Sequence, residues 1–161
     1  MVEKNPDHVV VECNGIGYHI NISLQTFSNV PDQENLKLYT HLVIREDAHI
    51  LFGFYTKTER EIFKMLISVS GVGPSIAMTM LSSMDTEEIQ QAIGSEDVSK
   101  IQSVKGIGLK TAQRVIVDLK DKILKSYEIS EDLHGSNNTI KIEALSALEV
   151  LGFSRKKIEK V

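Results

Sequence analysis

Two similar stretches of sequence, SVSGVGPSIA at residues 68–77 and SVKGIGLKTA at residues 103–112, decide the fold of the middle third of this chain. Each reads as the end of one helix, a turn of the form Gly-aliphatic-Gly, and the start of a second helix. Glycine reaches backbone angles that are closed to other residues, so the turn can be tight. Two copies are too few for a solenoid, and they predict a pseudo-symmetric pair of helical hairpins.

The same turns predict a binding chemistry. Glycines leave no side chain between the peptide N–H groups and a ligand, and the helix that follows adds free N–H groups and the positive end of its dipole. Such a turn can hold a phosphate oxygen, and such contacts position a nucleic-acid backbone without reading its sequence. The residues predicted to contact phosphates through amides, hydroxyls and cations are Gly71, Val72, Gly73, Ser75, Gly106, Ile107, Gly108, Lys110, Thr111 and Arg114.

Two nucleotide-binding motifs are similar to these turns and do not fit them. A dinucleotide fingerprint needs a third glycine where this chain has Ile76 and Thr111, and it should follow a strand rather than a helix. A P-loop needs glycine directly before Lys-Thr, but Leu109 intervenes. A tight interhelical turn without a ligand remains open as an alternative. The second copy of the turn, with Lys110 and Arg114 one helical turn apart, favours phosphate binding.

The charge distribution permits a polyanionic partner although the total charge does not suggest one. The formal net charge of −4 divides as −4 over residues 1–61, +1 over residues 62–127 and −1 over residues 128–161. Within residues 103–127, six Lys and Arg residues stand against two acidic ones. An approaching polyanion senses this local excess, because screening in the cell confines charge effects to about 8 Å.

Composition excludes several classes of protein. The 161 residues, 42% hydrophobic and 25% charged, suit one ordinary domain or two to three small ones and exclude a disordered chain. The single cysteine, Cys13, excludes an internal disulfide, and the five scattered histidines lack metal-ligand spacing, so no metal or cofactor is expected. The apolar runs are too short for a membrane span and no export signal opens the chain. A reduced, cytoplasmic protein is expected.

The first third of the chain predicts a small β-barrel or rolled sheet. Asn14-Gly15 is a typical two-residue turn between alternating strands, and the polar residues 45–48 suit the tip of a second hairpin. The chain starts abruptly before the first hairpin, so we expect the first strand to be missing or altered. The predicted elements are strands over residues 9–13, 17–22, 36–44 and 49–54, and a helical turn over residues 24–29.

The apolar period then changes from two to about 3.6, so the fold class is mixed β followed by all-α. Two four-residue segments, 58–61 and 85–88, read as capping boxes at helix starts, and Gly94 reads as the stop of the second of these helices. The remaining helices are expected after Pro74, near Ser95, over residues 109–124, over residues 140–151 and from Ser154.

Longer stretches of the chain resemble a known family. VECNGIGYHI, THLVIREDAHILFGFYTKTEREIFKMLISVSGVGP, KGIGLKTAQRVIVDLKDK and ALEVLGF occur in the same order in the RuvA family of bacterial Holliday-junction proteins. The two turns are similar to the paired helix-hairpin-helix motif of DNA-binding proteins. The resemblance implies an OB-like β-barrel over residues 1–57, a double helix-hairpin-helix domain over 58–127, a linker over 128–139 and a partial C-terminal helical domain over 140–161.

The resemblance also implies a function. It implies a DNA-binding subunit without catalytic residues, which recognises four-way junctions in recombination and DNA repair and assembles as a homotetramer. A hexameric ATPase motor similar to RuvB would drive branch migration, and a junction resolvase is a further expected partner. The protein would associate with the nucleoid during repair. The residues implied to dock the motor are Leu148, Leu151, Gly152 and Phe153.

Glu46 and Asp47 at the predicted hairpin tip read from the sequence alone as ordinary solvent-exposed residues. The resemblance implies a second role, because four such tips near a four-fold axis would bring eight carboxylates together and repel the phosphates at the crossover. This arrangement is called an acidic pin. Ser75 stands where the family often has a basic residue, so we expect the first hairpin to depend more on backbone amides.

Two other classes of function remain as alternatives. DNA glycosylases with a helix-hairpin-helix place a catalytic lysine where Lys110 lies, and they need an aspartate further along the chain. No aspartate lies between Asp121 and Asp132, where the nearest carboxylate is Glu128 in the polar linker. An assembly module that does not bind DNA is the third class. The aromatic residues of the barrel are expected to pack in the core or an interface rather than stack on bases; they are Tyr39, Phe52, Phe54 and Tyr55.

Overall fold

A computed structural model describes residues 1–32 and 35–134 of the chain. The described residues up to Asp121 form one compact unit, in which a five-stranded sheet is followed by helices. Several predictions lie outside the described residues, namely linker residues 135–139, the helices over 140–161 and the motor-docking residues Leu148, Leu151, Gly152 and Phe153.

Five strands form the OB-like sheet of the first third. They are β1 (Glu3–Lys4), β2 (His8–Cys13), β3 (Ile16–Ile22), β4 (Tyr39–Ile44) and β5 (His49–Phe54). Their order in the sheet is β1-β2-β3-β5-β4, with β3 and β5 parallel and the other neighbours antiparallel. The segment before β2, where the sequence predicts a missing or altered strand, thus contributes a two-residue strand at one edge, and β4 forms the other edge.

Both predicted β-hairpins are confirmed. Asn14 and Gly15 have φ angles of +53° and +82°, the left-handed conformations that a two-residue turn between twisted strands requires. In the second hairpin Ile44 pairs with His49, so residues 45–48 form its tip. The strand that leads to this tip begins at Tyr39, three residues later than predicted.

The two faces of the sheet bury different cores. Val9, Ile20 and Ile22 form the cluster on one face. On the other face the aromatic rings of Phe52 and Phe54 pack against the ring of Phe63, a residue of the helical part of the chain. The centroid distances are 5.1 and 4.9 Å. This second contact joins the sheet to the helical part of the chain. It also agrees with the prediction that Phe52 and Phe54 pack in the core.

Six helices complete the described structure. They are α1 (Leu24–Asn29), α2 (Lys57–Ile67), α3 (Pro74–Ser83), α4 (Thr86–Gly94), α5 (Val98–Gln102) and α6 (Leu109–His134). The bounds of α1 and the capping box of Asp85 and Glu88 at the start of α4 agree with the predictions. No helix among these is long and apolar enough to span a membrane.

The capping box predicted over residues 58–61 is wrong. The N-cap of α2 is Thr56, two residues earlier, and its side chain accepts a hydrogen bond from the Glu59 amide. The Glu59 carboxylate does not return to the cap. It is buried and accepts hydrogen bonds from the Ser23 hydroxyl, the Thr26 hydroxyl at 2.6 Å and the Tyr55 amide at 3.3 Å. This buried network ties α1 and the end of β5 to α2.

Two further helix bounds differ from the predictions. The α5 helix begins at Val98 with Asp97 as its cap, rather than near Ser95, because α4 ends in a left-handed turn at Glu96. The α6 helix continues ten residues beyond its predicted end to His134, so the first seven residues of the predicted linker over 128–139 are helical. This segment is polar but contains no glycine or proline to stop the helix before residue 135.

Candidate nucleic-acid interface

Hairpin 1 consists of α2, the turn over residues 68–73 and α3, and hairpin 2 consists of α5, the turn over residues 103–108 and α6. The two turns have the same internal hydrogen bonds. The Val72 amide donates to the Val69 carbonyl at 3.0 Å, and the Ile107 amide donates to the Val104 carbonyl at 3.1 Å. The repeat read from the sequence is therefore a repeat of backbone structure.

The first glycine of each turn has a conformation that side chains rarely adopt. The φ angles are +95° at Gly71 and +93° at Gly106. The aliphatic residue that follows each of them, Val72 or Ile107, is buried with only 5% or 6% of its surface exposed. Burial of these two side chains fixes the turns. The amides of both residues already donate within the turns, so the amide contacts to phosphate predicted at Val72 and Ile107 have no free N–H group in this structure.

The second glycine of each turn lies where a ligand can approach. A Cβ added to Gly73 or Gly108 would meet no protein atom within 4 Å. Each of these glycines precedes a helix whose first N–H groups have no partner within the helix, and Gly73 forms no side-chain cap. Pro74 has no N–H group, so α3 offers one donor fewer than α6, which begins with Leu109.

The two hairpins contact each other through equivalent positions. A Cβ at Gly71 would lie 3.6 Å from Thr111 Oγ1 in hairpin 2, and a Cβ at Gly106 would lie 3.8 Å from Ile76 Cγ1 in hairpin 1. Because Ile76 and Thr111 occupy the same place in the two sequence repeats, the contacts are reciprocal. The hairpins are therefore related by an approximate two-fold axis that passes between them.

The cations near the turns differ in their partners. Lys110 is exposed and forms no ion pair with a carboxylate in the part of the chain that the structure describes. Arg114 Nη1 donates to the Ser70 carbonyl of hairpin 1 at 3.4 Å. Lys120, further along α6, donates to Glu96, and this contact lowers the pKa of the Glu96 carboxyl and raises the pKa of Lys120. Lys110 thus has no carboxylate partner among the described residues, whereas Lys120 is already paired with Glu96.

The predicted phosphate contacts lie together at these two turns. Ser75 and Lys110 are exposed in the first turn of α3 and of α6, and Thr111 is half-buried between the hairpins. Arg114 is the exception, because its guanidinium reaches the turn of hairpin 1 rather than that of hairpin 2. The sequence does not signal this placement, since it depends on how the hairpins pack.

The β4–β5 tip presents its acidic residues to solvent. Glu46 and Asp47 are exposed, and the tip is closed by a hydrogen bond of 2.8 Å from the Arg45 amide to the Ala48 carbonyl. Arg45 Nε lies 3.4 Å from Asp47 Oδ1, so a cation accompanies the two carboxylates. Each tip therefore carries less negative charge than the acidic residues alone suggest.

A cationic cluster where β4 meets α2 was not predicted from the sequence. The Tyr39 ring has Lys37 Nζ, Lys57 Nζ and Arg60 Cζ within 5.4 to 5.8 Å of its centroid. Residues 1–61 are acidic in total, so charge counts along the chain conceal this cluster.

Among the residues described, no group of three or more His, Cys, Asp and Glu side chains could hold a metal ion.

Comparison with known proteins gives the same two-part organisation. Residues 1–53 match the family described as RuvA N terminal domain, and residues 63–121 match the family described as SAM-like helix-hairpin-helix tandem. These two matches correspond to the OB-like sheet and to the two hairpins.

Similar proteins cover the whole chain. The Holliday junction branch migration complex subunit RuvA of Flavobacterium psychrophilum is 60% identical over 100% of this chain and 83% of its own length. The subunit of the same name from Christiangramia forsetii is 62% identical over the same shares, and that from Cytophaga hutchinsonii is 51% identical over 99% of this chain and 83% of its own length. With the repeated hairpins and the OB-like sheet, these identities establish that the chain belongs to the RuvA family of Holliday junction branch migration complex subunits.

Proposed function

We propose that the two hairpins hold the phosphate backbone of a four-way DNA junction, and that the protein is the non-catalytic, junction-binding subunit of a branch migration complex. The observation that carries this proposal is the paired open approach at Gly73 and Gly108, each beside unpaired helix N–H groups. The exposed ammonium group of Lys110 adds charge at one of the two approaches. Contacts of this kind hold DNA without reading its sequence.

Recognition of a junction requires more than one copy of the chain. The two hairpins of one subunit contact each other, so they can grip only a local stretch of backbone. Four subunits arranged as a homotetramer would place such grips on all four arms, and preference for a junction would then come from geometry. Separated subunits would lose selectivity for junctions before they lose affinity for DNA.

The energy for branch migration comes from outside this subunit in our proposal. A hexameric ATPase motor similar to RuvB would move the arms, docked through Leu148, Leu151, Gly152 and Phe153, which lie outside the described residues. A junction resolvase would act on the same bound junction. The protein would work in the cytoplasm, associated with the nucleoid during repair.

The test compares binding to a four-way junction and to a linear duplex of equal length over a range of salt concentrations, together with the solution mass of the protein. We expect tighter binding to the junction and the mass of a tetramer. The logarithm of affinity should fall linearly with the logarithm of salt concentration because counterions are released. Equal binding to both DNAs, or binding to neither, would contradict the proposed function, and the latter would favour an assembly module.

The same titration tests the role of Lys110. Lys110→Ala should reduce the salt slope by about 0.9, the value for one phosphate contact on duplex DNA. Lys120→Ala is the matched control. It removes a cation from the same helix, but the Lys120 ammonium group is already paired with Glu96. The control should leave the slope nearly unchanged. Equal slopes in the wild-type and Lys110→Ala proteins would place the phosphate contacts elsewhere.

We propose that Glu46 and Asp47 form an acidic pin at the centre of the tetramer. Replacement by Gln and Asn should leave junction affinity equal or higher, since repulsion of phosphates is removed, and should change the rate of branch migration or the preference for junction over duplex. Arg45→Gln is the opposite control, because loss of the cation beside Asp47 makes each tip more negative. If affinity, rate and preference all stay at wild-type values in the Gln and Asn variant, the pin has no role.

A further inference from the structure

The two hairpins differ in the charge that their second helices carry. Hairpin 2 has Lys110 and Arg114 on α6, and the equivalent positions of hairpin 1 are Ser75 and Thr79 on α3. The Thr79 hydroxyl donates back to the Ser75 carbonyl at 2.9 Å, so it is already engaged. The α3 helix contains no Lys or Arg residue. Hairpin 1 therefore has no cation of its own on the helix that follows its turn.

Arg114 supplies a cation at this place from the other hairpin. Its Nη1 lies 3.4 Å from the carbonyl oxygen of Ser70, the residue directly before Gly71. Thr111, one turn earlier on α6, lies against the same Gly71. The guanidinium is exposed, and no ion pair between it and a carboxylate occurs within the described ranges. Arginine carries five N–H donors in a planar fork, so donation to Ser70 leaves others for a second acceptor.

We propose that Arg114 contacts the phosphate bound at hairpin 1, across the approximate two-fold axis, and not a phosphate bound at hairpin 2. The Ser70 carbonyl orients the guanidinium, and the remaining N–H groups lie beside the turn that ends at Gly73. This inference rests on the proposed function, because it assigns one cation to one of the two phosphate sites. Lys110 then remains at the phosphate site of hairpin 2, so each of the two sites receives one cation from the first turns of α6.

Double-mutant cycles separate the two assignments. Gly73→Ala and Gly108→Ala form a matched pair, because each adds a methyl group where a phosphate would approach and neither position has a positive φ or a neighbour within 4 Å of the new Cβ. Each variant is combined with Arg114→Ala, and affinity for four-way junction and linear duplex DNA is measured. Thermal unfolding confirms that every variant is folded. Free-energy changes of two substitutions in one interaction network are not additive, whereas those of substitutions at independent sites add.

We expect Arg114→Ala to weaken binding about tenfold in the wild-type and Gly108→Ala backgrounds. In the Gly73→Ala background, where the phosphate at hairpin 1 is already displaced, the further loss should be no more than about twofold. The same tenfold loss in the Gly73→Ala background would overturn the assignment. A loss that disappears in the Gly108→Ala background instead would assign Arg114 to hairpin 2.

Ethylation of individual phosphates provides a second readout that does not depend on the size of the affinity loss. The phosphate whose ethylation ceases to interfere with binding should be the same for Arg114→Ala and Gly73→Ala, and a different one for Gly108→Ala and Lys110→Ala. Arg114→Lys should retain the salt slope but not the full affinity, because an ammonium group lacks the planar fork. Absence of DNA binding by the wild-type protein would contradict the proposed function itself. If Arg114→Ala instead removes the interference at the same phosphate as Gly108→Ala, only the assignment of Arg114 is contradicted.

Discussion

Alanine at both Gly71 and Gly106 is expected to weaken junction binding by about 100-fold, or about tenfold for each turn. The φ angles of +95° and +93° are rarely adopted by residues with a Cβ, and holding alanine there costs about 1 to 3 kcal/mol. The backbone would relieve this strain by moving, and the amides beside Gly73 and Gly108 would then no longer point to the phosphate. Each single variant should lose part of the binding.

Gly94→Ala is the control for this prediction. Gly94 is the last residue of α4, its φ is not in the left-handed region, and a Cβ there would meet no atom within 4 Å. Alanine should leave DNA binding unchanged and stabilise the helix by up to about 1 kcal/mol. Junction titrations and chemical denaturation of all variants distinguish a local change in the turns from loss of the fold. Wild-type affinity in a folded Gly71→Ala, Gly106→Ala protein would show that the turn geometry is not what binds DNA.

Glu59→Ala is expected to lower the free energy of unfolding by about 3 kcal/mol, a large part of the stability of a domain of this size. Glu59 is 5% exposed, and its removal takes the carboxylate acceptor from the buried Ser23 and Thr26 hydroxyls, while the Tyr55 amide keeps its 3.1 Å hydrogen bond to Thr26 Oγ1. Glu59→Gln keeps the shape and one acceptor oxygen, so it should lose less. Urea denaturation at neutral pH measures both changes.

Glu61→Ala is the matched control, because Glu61 lies two residues after Glu59 on the same helix. Glu61 accepts hydrogen bonds from Lys64 at 2.8 Å and Arg60 at 3.1 Å near the surface, and these contacts lower the pKa of its carboxyl. Solvent screens such pairs, so the variant should change stability by no more than about 1 kcal/mol. Equal losses for Glu59→Ala and Glu61→Ala would mean that the buried network does not contribute as its geometry indicates.

The features that the sequence predicts well are those set by local chemistry. Asn14-Gly15 specifies its turn through positive φ angles, Asp85 and Glu88 cap their own helix, and the two Gly-aliphatic-Gly turns repeat hydrogen bond by hydrogen bond. In each case the partners lie within a few residues of one another. Propensity and spacing are therefore sufficient to locate them.

The features that the sequence does not predict depend on distant partners. Glu59 reads as part of a capping box, but Ser23 and Thr26, 36 and 33 residues away, recruit its carboxylate. Arg114 reads as a cation of its own hairpin, but the packing of the two hairpins brings it to Ser70, 44 residues earlier. The candidate site could thus be located from the sequence, while the contact of Arg114 with the turn of hairpin 1 could not.

The buried network of Glu59 has a mechanical consequence. If hairpin 1 holds DNA as proposed, tension on that DNA would reach α2, whose N-terminal turn contains Glu59. From there the load would pass to Ser23, which directly follows β3, and to Thr26 in α1, since both hydroxyls donate to the same carboxylate. The sheet, hairpin 1 and the turn of hairpin 2 belong to one compact unit, so a pull on a bound arm would be shared with the sheet.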